Sequence, residues 1–392
     1  MSTLKVDGIR SNSASSDAIT LAGDGTCTAN ITNNLSNRRL TINGDMRIAQ
    51  RGVSSTVSGY GSVDRFAVKY SGTDEAPTQA QVDVASGTTP YTLGFRKSLK
   101  VTNGNQTSGA GAADFIRIYT TLEAQDLANS GWNYTSSSSY ITLSFWIKSS
   151  VAQNFYGRLY TYDGTNQNYA FETGSLSADT WTKITKAIPG NSNITFDNNA
   201  NSGLNIEFGM FRGTDTTGSV SLNTWAAYAS GTRTPNQTST WYTTNDATFE
   251  ITGVQLEVGS NSTDYEFRSY GQELALCQRY YQKSFEQGTT PAHGVGKGIY
   301  QYIKPYASDY IAGLCHYLPV EMRSTPTVVT YTLNSVTNST DNRFSHYNNS
   351  SWGVCALSLE GSSNPRTIAF GGQTGSSSTV LVQYNFTASA EL

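Results

Sequence analysis

Charge is what this 392-residue chain has least of: Asp, Glu, Lys and Arg together make up 14% of it, against the usual quarter. Glu, Lys, Ala and Leu, which give long helices their propensity and surface pairs, are correspondingly thin. A net charge of −3 leaves no basic face for a nucleic acid, so no nucleic-acid partner is expected. No apolar run approaches the ~18–20 residues of a membrane span. The opening MSTLKVDGIRSNSASS lacks the apolar core of a signal peptide, and the expectation is synthesis in the cytoplasm without membrane insertion. The four cysteines, Cys27, Cys277, Cys315 and Cys355, have no paired spacing and read as free thiols of a reducing compartment.

Catalytic signatures are missing too. His293, His316 and His346 form no HExxH motif and no His/Cys pair at metal-ligand spacing, against a zinc or copper site. There is no GxSxG elbow and no GxxxxGK[ST] loop. Carboxylates occur, but the sequence places no two across a cleft as a glycosidase requires. The reading is a protein that is not an enzyme. No fixed-period repeat appears, which speaks against a solenoid or β-helix.

What is abundant is Thr, Tyr, Val and Ile in short runs cut by Gly, Asn, Asp and Ser, the pattern of strands and turns. The fold class expected is all-β. Residues 1–36 hold two short strand-like stretches, STLKVDGIR and DAITLAGDGTCTANIT, with too little apolar mass for a core of their own. They either lack order or pair with another chain. From about 40 to 268, segments such as DRFAVKYS and SYITLSFWIKSS alternate with period two, FYGRLYTYDG ends in a hairpin-type Asp-Gly turn, and TWTKITKAI, LNIEFGMF and ATFEITGVQLEVG are further strands. Recurrent short strands of this kind suit a sandwich or jelly roll.

One short helix is expected at TTLEAQDLAN. Another is expected over 271–285, GQELALCQRYYQKSF, with Leu274, Cys277 and Tyr281 on one face and Glu273 near its start. After a loop, residues 298–392 return to strands: GIYQYIKPY, TPTVVTYTL and STVLVQYNFTASAEL. The division is therefore an N-terminal segment of attachment strands (1–36), a central jelly-roll β-sandwich (37–268), a short linker helix (269–290) and a C-terminal β-sandwich head (291–392).

Twenty-four Tyr and six Trp are a heavy aromatic load, and flat rings stack on the C–H faces of sugars. Phe145, Trp181 and Phe208 sit in strand patterns and belong to the core. Trp132, Trp225 and Trp241 lie in polar loops and are candidates for glycan binding. So is the stretch RFSHYNNSSWG, 343–353, where His346, Tyr347, Asn348, Asn349 and Trp352 combine rings with amide donors as recognition loops do; the plainer alternative is a hairpin turn with one buried Trp.

INGDMRIAQRG (42–52), VDRF (63–66), LSFWIKSS (143–150) and the long stretch ITGVQLEVGSNSTDYEFRSYGQELALCQRYYQKSF (251–285) together resemble phage virion proteins, especially tail-fibre and receptor-binding proteins with a carbohydrate-binding-module-like jelly roll. The lead-in resembles attachment segments of fibres from phages of cyanobacteria and other marine bacteria, and FTASAEL resembles the ends of many such proteins. The resemblance covers roughly 1–285 well and the rest in places. It implies a virion protein, a tail fibre that binds host cell-surface polysaccharide as a homotrimer during adsorption, held to other virion proteins through residues 1–36. The alternatives are a capsid or neck decoration fibre and, less favoured, a polysaccharide depolymerase. It also implies that NGDM enters and GVQLEVG closes the jelly roll side by side. Asp45, Arg47, Arg51, Asp64, Arg65, Glu257 and Arg268 would then form a clasp of buried ion pairs, since buried charges are tolerated only when paired. The competing use of Glu257 or Asp64 is a structural Ca2+, as related modules often hold one on oxygen ligands; no other cofactor is implied.

Overall fold

Alternation of apolar and polar side chains builds the centre of the molecule. In Tyr140–Ser149 the side chains of Ile141, Leu143, Phe145 and Ile147 are all buried, the period of a pleated strand with one face on a core. This strand lies between Thr182–Pro189 and Thr248–Val258 in a first six-stranded sheet. The sheet continues through Lys97–Thr102 and Thr78–Asp83 to Ser54–Ser55. A second six-stranded sheet runs in the order Trp225–Ala227, Gln167–Ser175, Asn154–Thr161, Ser202–Arg212, Phe115–Glu123, Ala67–Ser71. The two sheets enclose one core, with Phe145 meeting Phe208 edge to face at 4.8 Å. The protein is an all-β jelly-roll sandwich joined to a second β-sandwich. The structure, a computed structural model, describes residues 6–13, 17, 19–21, 23, 27–29, 37–296, 298–303, 310–333, 342–347, 352–356, 358–359, 363–373 and 379–392. Among these, no helix is long and apolar enough to cross a membrane.

The second sandwich is organised by one long strand, Val380–Ser389, which pairs antiparallel with Tyr281–Lys283, Ile299–Ile303, Thr327–Tyr331 and Arg343–Tyr347. Opposite it lies a sheet of Tyr310–Tyr317, Thr367–Gln373 and Ser358–Leu359. Phe344, Phe370, Val382 and Phe386 fill the space between. Near the start of the chain, Gly8–Ile9, Ile19–Leu21 and Cys27–Ala29 form a small antiparallel sheet of their own, with Val6, Ile9 and Leu21 exposed. Among the described residues, Cys277 and Cys315 are free thiols.

Both expected helices prove shorter. The first covers only Ala124–Ala128, because Thr120–Glu123 continues the strand paired with Ser202–Arg212. The second covers Tyr270–Gln278, opened by a reciprocal hydrogen-bonded cap between Ser269 and Gln272, the capping box of short helices. Tyr281, expected on its apolar face, belongs instead to a strand of the second sandwich.

The helix is no free spacer either. Glu273 is fully buried and pairs with Arg39, itself fully buried, and also accepts from the Asn43 amide. The lead-in that carries Arg39 runs beside Thr248–Val258: Leu40 donates to the Leu256 carbonyl at 2.8 Å, and Val254 donates to Gly44 at 2.9 Å. NGDM and GVQLEVG are thus neighbours, and a side chain at Gly44 would strike the Val254 carbonyl.

The seven clasp residues lie in this region but divide among several groups. Asp45 pairs with Arg47. Arg51 lies 3.6 Å from Asp64 and 3.0 Å from Glu391, and Arg65 also pairs with Glu391. Glu257 faces Arg38 at 3.6 Å, and Arg268 lies 3.9 Å from Glu273. Arg65, Glu257 and Arg268 therefore partner residues outside the expected set. Burial pushes the Asp64 carboxyl up, against the pull of Arg51 and the hydrogen bonds from Gln50. Among the described residues no group of three or more His, Cys, Asp or Glu could hold a metal ion. The Ca2+ reading of Glu257 and Asp64 finds their oxygens occupied by Thr263 and Gln255, and by Gln50, instead.

Glu391 ties the two sandwiches together. Arg65 stacks 3.4 Å over the Tyr280 ring and Arg51 lies 3.7 Å over Tyr281. Arg279 grips Glu123 with two hydrogen bonds of 2.6 and 2.8 Å, and the Tyr280 hydroxyl donates to the same carboxylate. Arg323 bridges the Ala390, Glu391 and Ala200 carbonyls. Removing one partner of a buried pair strands the other charge, at about 3–5 kcal/mol. Arg39→Ala is therefore expected to lower stability by that order in denaturant unfolding, while Arg366→Ala, in an exposed pair with Glu321, stays near wild type. Equal midpoints for the two variants would show that Glu273 does not depend on Arg39.

Candidate functional site

The side chains on the outer face of the second sheet are unlike those of a plain solvent face. Along Asn154–Thr161 the inward Phe155 and Leu159 alternate with outward Tyr156, Arg158 and Tyr160, and Tyr162 continues the series just beyond the strand. Register sets these against matching residues on the neighbours: Arg158 opposite Glu207, Tyr160 opposite Asn205, Tyr156 opposite Gly209. Beyond, Glu207 faces Tyr119 and Gly209 faces Arg117. The result is a row of tyrosines around a cluster of charge.

Glu207 is the centre of the cluster. Arg158 donates to it at 3.1 and 3.2 Å, and Arg117 and Arg212 pair with it as well. Burial opposes its charge, yet Arg158, Arg212 and Arg117 together hold its carboxyl well below the usual carboxylate range. Three guanidiniums on one carboxylate leave the cluster with an excess of positive charge. Arg158 also donates to Asn168 at 3.3 Å, and Asn205 to Thr121 at 2.9 Å. These bonds fix the Arg and Asn side chains before any ligand arrives.

The rings stand around this fixed floor. Tyr160 meets Tyr162 edge to face at 4.9 Å and Tyr228 at 4.7 Å, while Arg158 and Arg233 each lie 5.7 Å from the centre of the Tyr228 ring. Tyr119 sits over Arg117 and meets Tyr60 at 6.0 Å. Tyr162 is 42% exposed, and Tyr119, Tyr156, Tyr160 and Tyr228 are half-buried. Burial pushes the Tyr119 and Tyr162 hydroxyls up, so both stay protonated donors at neutral pH. Arg158, Asn168 and Asn205 lie buried beneath the rings, and Arg117 is partly open. Flat rings with wet edges above a fixed cationic floor are suited to a ligand with apolar C–H faces and many hydroxyls.

The residues singled out from the sequence are placed otherwise. Trp132, Trp225 and Trp241 are buried, at 3, 8 and 0% exposure. Each indole N–H donates to a backbone carbonyl: Trp132 to Ser139, Trp225 to Pro189, Trp241 to Thr248. They anchor their loops to the core and offer no open ring, which corrects their reading as glycan contacts. Of the stretch 343–353, Arg343–Tyr347 is described and pairs antiparallel with Trp352–Ala356. His346 is buried, its Nδ1 3.0 Å from the Cys355 sulfur, so it too is removed from the surface set. The Tyr347 and Trp352 rings meet at 5.3 Å, tilted by 42°, with Trp352 36% exposed. Asn348 and Asn349 lie outside the described residues.

The tyrosine face was missed because glycan-binding candidates were sought among aromatics in polar loops. The signal was present in FYGRLYTYDG: Tyr156, Arg158, Tyr160 and Tyr162 share one parity, and an Arg among them marks that parity as outward.

No known family model matches the sequence, and no curated protein matches it. Solved structures with partial likeness include the enzymatically active domain of bacteriophage CBA120 tailspike protein 4, at 11% identity and TM-score 0.30, over 56% of this chain and 21% of that one. The N-terminal cellulose-binding domain of Cellulomonas fimi β-1,4-glucanase C has 10% identity and TM-score 0.26, over 55% and 99%. The CBM22-1 xylan-binding domain of Paenibacillus barcinonensis Xyn10C has 9% and 0.27, over 58% and 100%. The chain spans about a fifth of the tailspike domain's length.

A group whose folded-state pKa is depressed contributes stability above its unfolded value and loses it as pH falls. For Glu207 the loss begins near the ordinary 4.5 and continues below it. Thermal melts from pH 7 downward should therefore fall more steeply below about pH 4.5 in wild type than in Glu207→Gln. Parallel curves would mean that Glu207 titrates in the folded state as it does in the unfolded chain, and that the three arginines do not hold its carboxyl down.

Proposed function

We propose that the protein is a non-catalytic glycan-binding component of a phage virion, a tail fibre that attaches to host surface polysaccharide. The observation that carries the binding part of this reading is the outer face of the second sheet, where Tyr119, Tyr160, Tyr162 and Tyr228 surround Arg158 and Arg117, held in place by Glu207. Rings stack on pyranose C–H faces while guanidiniums and amides bind hydroxyls, and the excess positive charge favours a glycan bearing carboxylate or sulfate groups. The virion part rests on the sequence resemblance of residues 1–285. On this reading the protein is assembled as a homotrimer in the host cytoplasm, bound to other virion proteins through residues 1–36. The exposed Trp352 beside the half-buried Tyr347 favours a second reading in which the C-terminal head makes the host contact.

One experiment separates the two. In affinity electrophoresis through gels containing acidic polysaccharides, Tyr162→Ala is expected to lose most of the retardation. Stacking of bases on aromatic rings suggests about 1–3 kcal/mol per ring. Retention lost only in Trp352→Ala would move the site to the head, and no retardation of wild type by any polysaccharide would sink glycan binding. For assembly, light scattering of the purified protein is expected to give three times the chain mass; a monomer at micromolar concentration would refute the trimer.

A further inference from the structure

The outer face of the first sheet carries a second aromatic cleft, opposite the tyrosine face and separate from it. Its floor is Trp146, which points outward from Tyr140–Ser149, with Lys183 and Thr252 as its cross-strand neighbours. One wall is a trio of rings. Phe95 meets Tyr265 at 5.0 Å and Phe267 at 5.2 Å, and Tyr265 meets Phe267 at 4.8 Å. Phe267 is 43% exposed, and exposed Lys183 and Asp264 stand at the rim. The cleft encloses about 420 Å³, within the ~300–1,000 Å³ of small-ligand sites.

The backbone is shaped to keep this space open. The pairing of Thr248–Val258 with Tyr140–Ser149 shifts register between Thr252 and Gln255, so the strand bulges beside the cleft. Gly253 sits in the bulge at φ +66°, where a Cβ would lie 2.8 Å from the Phe95 ring and 3.2 Å from Trp146. Any larger residue there would be strained and would crowd two rings that form the cleft. The half-buried Trp146 indole on the outer face of the sheet thus borders a cavity that the glycine bulge preserves.

We infer that this cleft binds one pyranose unit, its C–H face on the Trp146 indole and its hydroxyls on Lys183 and Asp264. A purely apolar ligand would leave the ammonium and carboxylate at the rim without a role, whereas a sugar ring uses both surfaces. The inference rests on the reading of the protein as a glycan binder but on none of the residues of the tyrosine face. A jelly roll with one site on each sheet holds a glycan bivalently, which raises avidity without new contacts at either site.

Saturation-transfer NMR of the full-length protein with millimolar glucose, galactose, mannose, xylose and N-acetylglucosamine tests it. At least one sugar is expected to give ring-proton signals that persist in Tyr162→Ala, fall by about tenfold in Trp146→Ala and return in Trp146→Phe. Lys183→Ala, an exposed change that leaves the core untouched, is expected to weaken the signal severalfold if Trp146→Ala fails to fold. Signals lost in Tyr162→Ala but unchanged in Trp146→Ala and Lys183→Ala would overturn the second site and leave glycan binding standing. No signal from any of the five sugars on wild type would overturn the cleft regardless of polysaccharide retention.

Discussion

A charge removed from water must be met by another charge or by several hydrogen bonds, and this requirement organises the protein. With so few charged residues, the chain spends many of them where water is absent. Arg39–Glu273 lies beneath the helix, Glu391 between Arg51 and Arg65, Glu123 under Arg279 and Tyr280, and Glu207 under three arginines. Such pairs add little net stability over well-packed apolar substitutes, because desolvation offsets most of the Coulomb attraction. What they add is geometry. An apolar contact between two sandwiches tolerates sliding, whereas a carboxylate bridging two guanidiniums that also stack on Tyr280 and Tyr281 satisfies its partners in one arrangement. The joint is therefore built to hold the second sandwich at a fixed angle on the first.

The same rule shapes the tyrosine face. Arg158 and Arg117 would lose rotamer freedom on gripping a ligand, and each immobilised long side chain costs roughly 0.5–1.5 kcal/mol. Here Glu207 and Asn168 have already fixed Arg158, so that cost falls on folding and not on binding. Strand pairing on both sides of Asn154–Thr161 makes the platform stiffer than any loop. On the proposed glycan-binding reading, the burial of Glu207 on the outer face of a sheet serves as preorganisation.

The sequence carried the all-β class and most strand positions because a two-residue period survives in local text: YITLSFWIKS and ITGVQLEV are legible alone. The adjacency of NGDM and GVQLEVG came from resemblance, not from periodicity. The partners of the buried charges were not legible, since Arg39 and Glu273 are 234 residues apart and Arg65 and Glu391 are 326 apart. Nothing local marks Glu273 as more buried than Glu266. Helix length was overestimated for a related reason. QRYYQK has no breaker, and only the demand of Val380–Ser389 for an edge partner turns Tyr281–Lys283 into a strand.

The misreading of the tryptophans has a more general cause. Polar composition around Trp132, Trp225 and Trp241 says that their loops are at the surface, but it does not say which way the indoles point. A polar segment is held to the sandwich by its few large rings, so each indole turns inward, Trp241 with Tyr242 beside it, and the indole N–H finds a backbone carbonyl. Strand tyrosines face the reverse situation. The core between the sheets is already filled by Phe155, Leu159, Ile206 and Phe208, and parity sends Tyr156, Tyr160 and Tyr162 outward whatever their hydrophobicity. In a sandwich the aromatic residues available to a ligand are therefore sought in the strands, on the parity that also carries arginine, before the loops.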